Sequence, residues 1–183
     1  MPPTKVVIAL LVLGHVARAD PDRPAFFDAG IVSRHFSSPA GNAIARTLVP
    51  VAPADQATSA IAADLRFGMA VFTFGFLGVE TEIGQLDTEG SNLGGLYGVA
   101  GTRARFGGLM LGAELAAGWR GTTHTSPSEP DHDEAVLEPR ARAEVWLASL
   151  FTLGVAAGLT VAGTESWMMT AYLGVHSLDF AGQ

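Results

Sequence analysis

The sequence predicts an all-β fold, a closed antiparallel up-and-down barrel of eight strands. Three observations predict it. Polarity alternates with a period of two in one segment after another. The connectors between those segments alternate between short and long. One face of each segment is apolar, while the other is rich in Gly, Ala and Thr and carries spaced charges of both signs.

The clearest segment is Glu138-Pro-Arg-Ala-Arg-Ala-Glu-Val145, with charges at 138, 140, 142 and 144 and apolar residues between them. A helix turns roughly 100° per residue and would spread those four charges around its circumference. A strand puts all four on one side.

The same test assigns the other strands in chain order. The first, 27–36, shows the pattern weakly. In 64–74, Leu65, Phe67, Met69 and Val71 oppose Asp64, Arg66, Gly68 and Ala70. In 77–84, Leu77, Val79, Thr81 and Ile83 oppose Gly78, Glu80, Glu82 and Gly84. In 95–106, Arg103 and Arg105 share a face with Tyr97, Val99 and Gly101. In 109–120, Leu109, Leu111, Ala113, Leu115, Ala117 and Trp119 oppose Met110, Gly112, Glu114, Gly118 and Arg120. After 138–145, the stretch 151–161 alternates Phe151, Leu153 and Val155 with Thr152 and Gly154, and 167–180 closes the series.

The connectors run long (37–63), short (75–76), medium (DTEGSN), tight (Gly107-Gly108), long and polar (GTTHTSPSEPDHDEA), short (near 149–150) and GTES. The piece 42–48 (NAIARTL) has the look of a short helix inside the first long loop.

Lipid is the environment this pattern suits. Segments of this length exceed the usual five or six residues of a soluble strand. In a bilayer every backbone group must be paired within the protein, which closure achieves. Outward side chains are then apolar and inward ones polar. The charges on the inward face number seven acids (Asp28, Asp64, Glu80, Glu82, Glu114, Glu138, Glu144) and seven arginines (Arg34, Arg66, Arg103, Arg105, Arg120, Arg140, Arg142). Eight strands enclose a space that side chains just fill. Charges there must pair, and the planar fork of Arg suits such pairing. The lumen ion-pair network is therefore expected from Asp64, Arg66, Glu80, Glu82, Arg103, Arg105, Glu114, Arg120, Glu138, Arg140, Arg142 and Glu144.

The 183-residue chain is one domain in size. Residues 1–19 read as a secretory signal peptide: Lys5, an apolar run from Val6 to Ala17, then Ala17-Arg18-Ala19 before Asp20. The barrel then occupies 20–183. Loss of Lys5 and Arg18 leaves nine basic against 18 acidic residues, a formal charge of −9, which argues against nucleic acid as a partner. With no Cys there is no disulfide and no thiolate metal site.

The signal peptide, the eight amphipathic strands, the alternating loop lengths and a last strand ending in an aromatic resemble the small outer-membrane β-barrels of the OmpA transmembrane domain and OmpX type. The resemblance is one of architecture and covers most of 27–180. It implies outer-membrane localisation, outer-membrane lipid around the wall, a monomer and no wide pore. It also implies both termini in the periplasm and long loops outside. The closing YLGVHSLDF resembles the C-terminal signal that such barrels present to the insertion machinery, carried here by Tyr172, Gly174, Leu178 and Phe180. His176 interrupts its apolar series, and Ala181-Gly182-Gln183 follow Phe180. The outer loops hold Asp87, Glu89, Glu129, Asp131, Asp133, Glu134 and Glu165, an acidic rim open to cationic partners.

Other signals compete. Residues 145–164 form a 20-residue run without a charge, the length of a membrane helix, with Gly154 and Gly158 in small-xxx-small spacing. His124, Asp131, His132 and Asp133 share one loop, a set that could ligate a metal, though a solvated acidic loop explains them. His176 and Ser177 are adjacent and point to opposite faces of a strand. His35, at the end of the first strand, reads as structural. No nucleophile–base pair and no cofactor fingerprint is legible. The expected role is non-enzymatic, with no cofactor and no metal: envelope integrity or surface interaction. An outer-membrane lipid-modifying enzyme and a secreted soluble barrel holding a small apolar ligand are the alternatives.

Overall fold

The computed structural model describes residues 25–36, 58–72, 74–87, 91–124, 131–148 and 150–176. The signal peptide (1–19), the 42–48 segment, Leu178 and Phe180 lie outside these residues. Eight strands run in chain order: β1 Ala25–Phe36, β2 Thr58–Ala70, β3 Gly75–Leu86, β4 Ser91–Phe106, β5 Leu109–His124, β6 His132–Trp146, β7 Phe151–Leu159 and β8 Ser166–His176. Each pairs antiparallel with its neighbour, and β8 pairs back onto β1 (Phe26↔His176 to Phe36↔Ser166), closing the barrel. Closure leaves no sheet edge.

One end is drawn tight. Gly107 and Gly108 alone join Phe106 to its partner Leu109, and Gly107 takes the positive φ of 63° that such a two-residue turn demands. Val71 N–H donates to Gly75 O at 2.9 Å, and Leu147 N–H to Phe151 O at 2.9 Å, closing the other two short turns. The start of β1 and the end of β8 lie at this same end. The longer connectors lie at the opposite end.

Several strands outrun their expected limits. β2 begins at Thr58, so Thr58–Ala63 belong to the wall rather than to the long first loop. β5 continues to His124 and β6 starts at His132, so the polar connector is shorter than its composition suggests. The uncharged run 145–164 is no helix: it is the end of β6, a turn and β7.

Pro139 is the local exception in the wall. It lacks the N–H that a central strand needs. Its partnership with Leu115 on the β5 side is unbroken. On the β7 side the ladder stops at Arg140↔Gly158 and resumes at the bridge Leu137↔Ala162. Glu138 and Pro139 thus face Leu159, Thr160 and Val161, a bulge. Leu137 and Pro139 share parity, and the Leu137 N–H points to β7, donating to Ala162 O at 3.2 Å. The donor that proline lacks is therefore one the bulge does not use.

The outward face is greasy. Ile31, Ile61, Ile83, Leu115, Val155 and Leu173 are all exposed, along with most other aliphatic outward positions. Among the described strand residues the outward positions carry one formal charge, Asp133, at the long-loop end. Aromatics bracket this belt: Trp119 and Trp167 toward the long loops, Phe72, Phe74, Phe106 and Phe151 at the short turns.

Candidate functional site

The chemistry of the molecule lies inside the wall. Period-two geometry on β6 turns Glu138, Arg140, Arg142 and Glu144 inward, and all four are buried. Asp64 and Arg66 on β2, Glu80 and Glu82 on β3, and Glu114 and Arg120 on β5 are buried on the same side.

The centre of the lumen is a chain of shared carboxylates. Arg34 donates to both oxygens of Glu82, Nε–Oε1 at 3.2 Å and Nη2–Oε2 at 3.0 Å. Its Nη1 reaches Glu138 Oε2 at 2.5 Å. The other Glu138 oxygen accepts from Arg140 Nε at 2.7 Å. Arg140 Nη1 then meets both oxygens of Glu80, at 2.7 and 2.6 Å. Tyr97 Oη donates to Glu82 at 3.1 Å, and Thr160 Oγ1 donates to Glu138 at 3.1 Å. Glu138 and Arg34 are 0% exposed, so these pairs form away from water. Breaking one partner out of such a pair costs about 3–5 kcal/mol, because the other charge is left stranded.

Toward the short turns the pairs continue, and aromatic rings join them. Arg66 forms a two-pronged contact with Glu114, at 3.1 and 2.8 Å. Arg142 Nη2 meets Asp28 at 2.7 Å, and its Nε donates to Tyr172 Oη at 3.0 Å. Arg66 and Arg103 both sit against the rings of Phe26 and Phe76, 4.8–5.6 Å from the centroids. At the mouth Arg105 lies 4.7 Å above Trp146 and donates its Nε–H to Gly107 O at 2.9 Å.

At the long-loop end Arg120 pairs with Glu134 at 2.6 Å and donates to Thr164 O and Ser166 Oγ, each at 3.1 Å. Glu134 also accepts from the Thr164 hydroxyl at 2.8 Å. An apolar plug built on Val32, Phe36, Ala60, Ala62, Leu93 and Met168 fills the lumen toward this end.

Small residues make room for the long ones. A Cβ added at Gly158 would stand 2.7 Å from Arg140 Cγ and 3.1 Å from Pro139 O, and one at Gly154 would overlap the Tyr172 ring.

Of the twelve lumen residues expected from the sequence, the structure brings nine into ion pairs: Arg66, Glu80, Glu82, Glu114, Arg120, Glu138, Arg140, Arg142 and Glu144. Arg103 lies among aromatic rings and Arg105 is exposed at the mouth. Asp64 is buried opposite Glu82 across the β2–β3 ladder but joins none of the ion pairs among the described residues, and its Oδ1 makes no hydrogen bond. Glu134 is not a loop carboxylate. It faces inward on β6, half-buried on Arg120, and makes the inward tally eight acids to seven arginines.

Tyr172 and Gly174 line the lumen, and His176 points inward in phase with them, buried 3.0 Å from Thr152 Oγ1. Tyr172 is held there by its hydrogen bond to Arg142, so the lipid-facing series on β8 is Trp167, Met169, Ala171, Leu173 and Val175.

Thr152, His176 and Glu144 are near one another, yet Thr152 Oγ1 and Glu144 Oε2 approach the same ring nitrogen, at 3.0 and 3.5 Å. A relay needs the two ring nitrogens on opposite tasks. His35 Nδ1 lies 3.0 Å from Ser59 Oγ and its ring is 5.4 Å from Trp167. Among the described residues no cluster of His and carboxylates is arranged to hold a metal. His132, in the polar connector's set, is exposed and 3.9 Å from Glu134.

An apolar wall closed on a packed, ion-paired interior defines the class: a small eight-stranded β-barrel with the architecture of outer-membrane barrels. Solved structures share that architecture. Ail, the attachment invasion locus protein of Yersinia pestis, superposes with a TM-score of 0.57 at 9% identity, covering 84% of this chain and 98% of its own. Neisserial surface protein A gives 0.54 at 10% identity, covering 83% and 95%. The N-terminal barrel domain of Pseudomonas aeruginosa OprF gives 0.53 at 12% identity, covering 84% and 97%. Comparison with protein-family models and with curated proteins finds no match.

Proposed function

We propose that this chain is a monomeric integral outer-membrane barrel with a structural or surface-interaction role and no conducting pore. One observation carries the reading: a charge-free aliphatic belt bounded by aromatic residues at both ends, wrapped around an interior that holds the charges. A water-soluble barrel inverts that distribution, whereas lipid-embedded barrels carry such a belt and its girdles. Strands of 9–16 residues match the ~9–11 tilted residues a bilayer needs. Residues 1–19 direct export, and the insertion machinery reads the last strand through lipid-facing residues such as Leu173 and Val175.

The interior supports a structural role. Paired charges and an apolar plug occupy the space a channel would need. Surface interaction then falls to the long-loop end, where Asp87, Asp131, Asp133 and Glu165 are exposed while Arg120 is buried on Glu134. This rim suits cationic partners. Ail has also been solved with the heparin analogue sucrose octasulfate; an acidic rim is unsuited to a sulfated polyanion, so partner choice here differs in sign.

Cell fractionation followed by gel migration before and after boiling tests the proposal. The expected result is recovery only with detergent and a heat-dependent shift in mobility. Recovery in the soluble fraction without detergent overturns it.

A further inference from the structure

The short-turn half of the lumen encloses a cavity lined by Phe26, Arg66, Phe76, Met110, Arg142 and Glu144, with Arg103 and Gly112 completing it. Its volume of about 10 Å³ is the room that one water molecule requires. Three buried polar atoms that make no hydrogen bond belong to residues of its lining: Arg66 Nε, Arg103 Nη2 and Glu144 Oε2. Arg66 Nε, on a side chain 2% exposed, donates to no protein group, although both its Nη atoms hold Glu114. Glu144 Oε2 accepts no hydrogen bond, although it lies 3.5 Å from His176 Nε2. Two are guanidinium donors and one is a carboxylate acceptor, which matches a water that accepts two hydrogen bonds and donates one. A metal ion would satisfy only the carboxylate and an anion only the guanidinium, whereas water satisfies both. Phe26, Phe76 and Met110 supply the apolar part of the lining.

We propose that this cavity is the binding site of one internal water molecule, which accepts the Arg66 Nε–H and donates to the Glu144 carboxylate. The water adds a link between Arg66–Glu114 and Arg142–Glu144–His176, two groups that already meet where Arg142 Nη1 reaches Glu114 Oε2 at 3.4 Å. It enters from the short-turn mouth, since the plug fills the lumen toward the opposite end. The site admits one molecule and no continuous file, so the lumen is hydrated without conducting. The inference stands on lumen geometry alone, wherever the barrel resides in the cell.

The test uses the folded full-length barrel in nanodiscs, with arginine side-chain Nε–H signals observed by NMR. The expected result is a cross-peak from Arg66 Nε–H to a long-lived water. Gly112→Ala should abolish it, because the added methyl points into the cavity with only Thr102 O as near as 3.0 Å. Crystals soaked in bromide should show no anomalous peak there. A resolved Arg66 Nε–H signal without a water cross-peak overturns the proposal. So does a bromide peak in the cavity, which makes it an anion site. The unsubstituted protein decides both points if Gly112→Ala does not fold.

Discussion

The two halves of the lumen handle buried charge differently. In the central and long-loop half, guanidinium meets carboxylate in a continuous series running Glu82, Arg34, Glu138, Arg140, Glu80. Arg120 over Phe36 and Arg140 over Tyr97 add ring contacts there. In the short-turn half ion pairs persist, Arg66 on Glu114 and Arg142 on Asp28, but the rings are denser: Arg66 and Arg103 lie on Phe26 and Phe76, Arg142 on Tyr172 and Arg105 on Trp146. Polar atoms without a hydrogen bond gather there too, among them Asp28 Oδ1, Arg66 Nε, Glu144 Oε2 and Trp146 Nε1. The contrast teaches that such a lumen needs no uniform salt-bridge ladder. Both halves use ion pairs and ring contacts; they differ in proportion, with more rings and more unbonded polar atoms near the short turns.

Substitutions should separate the halves, beginning with the largest effect. Glu138→Ala removes the carboxylate that Arg34 and Arg140 share, leaving Glu82 and Glu80 to carry them and the buried centre one negative charge short, and it removes the acceptor of Thr160. It should cost about 3–5 kcal/mol, read as a lower urea midpoint for unfolding from lipid vesicles by tryptophan fluorescence. A loss below 1 kcal/mol would mean that the central series carries little. Gly158→Val forces a side chain onto Arg140 Cγ and the Pro139 carbonyl; overpacking of this kind costs about 1–3 kcal/mol by the same assay.

In the other half, Phe76→Leu removes one ring from Arg66 and Arg103 and an edge-to-face partner from Phe26. It should cost about 1–2 kcal/mol. Parity with Glu138→Ala would erase the distinction between the halves. Arg105→Ala, at an exposed mouth position, should stay within about 0.5 kcal/mol. Asp64→Asn should be neutral or stabilising, since Asp64 is buried with no arginine paired to it and faces Glu82. Clear destabilisation would reveal a partner that the geometry does not show.

Much of this architecture is legible in residue order, because parity is a local property. The run EPRARAEV dictates which side chains of β6 go inward, and that one fact orients its neighbours. Strand ends are harder. Apart from Ile61, Thr58–Ala63 and Gly121–His124 are small or polar residues, too uniform to show an amphipathic period even when fully paired. Pairing partners are harder still. Arg34 and Glu138 lie 104 residues apart, and which arginine meets which carboxylate depends on the stagger of all the strands between them. Asp64 illustrates the limit, with the right parity but a place in none of the ion pairs among the described residues. Tyr172 reads both ways in the sequence, since its ring suits a lipid-facing signal while its hydroxyl suits Arg142.

The central claim is that β6 alternates between lipid and a sealed interior. The chain has no native Cys, so single cysteines placed at Ala141, Ala143 and Val145 report without background. Spin-label accessibility in bilayers measures it most directly. All three labels should favour oxygen dissolved in lipid over a water-soluble nickel reagent. Preference for the nickel reagent at Ala141 and Ala143 would put that face in water and contradict the account.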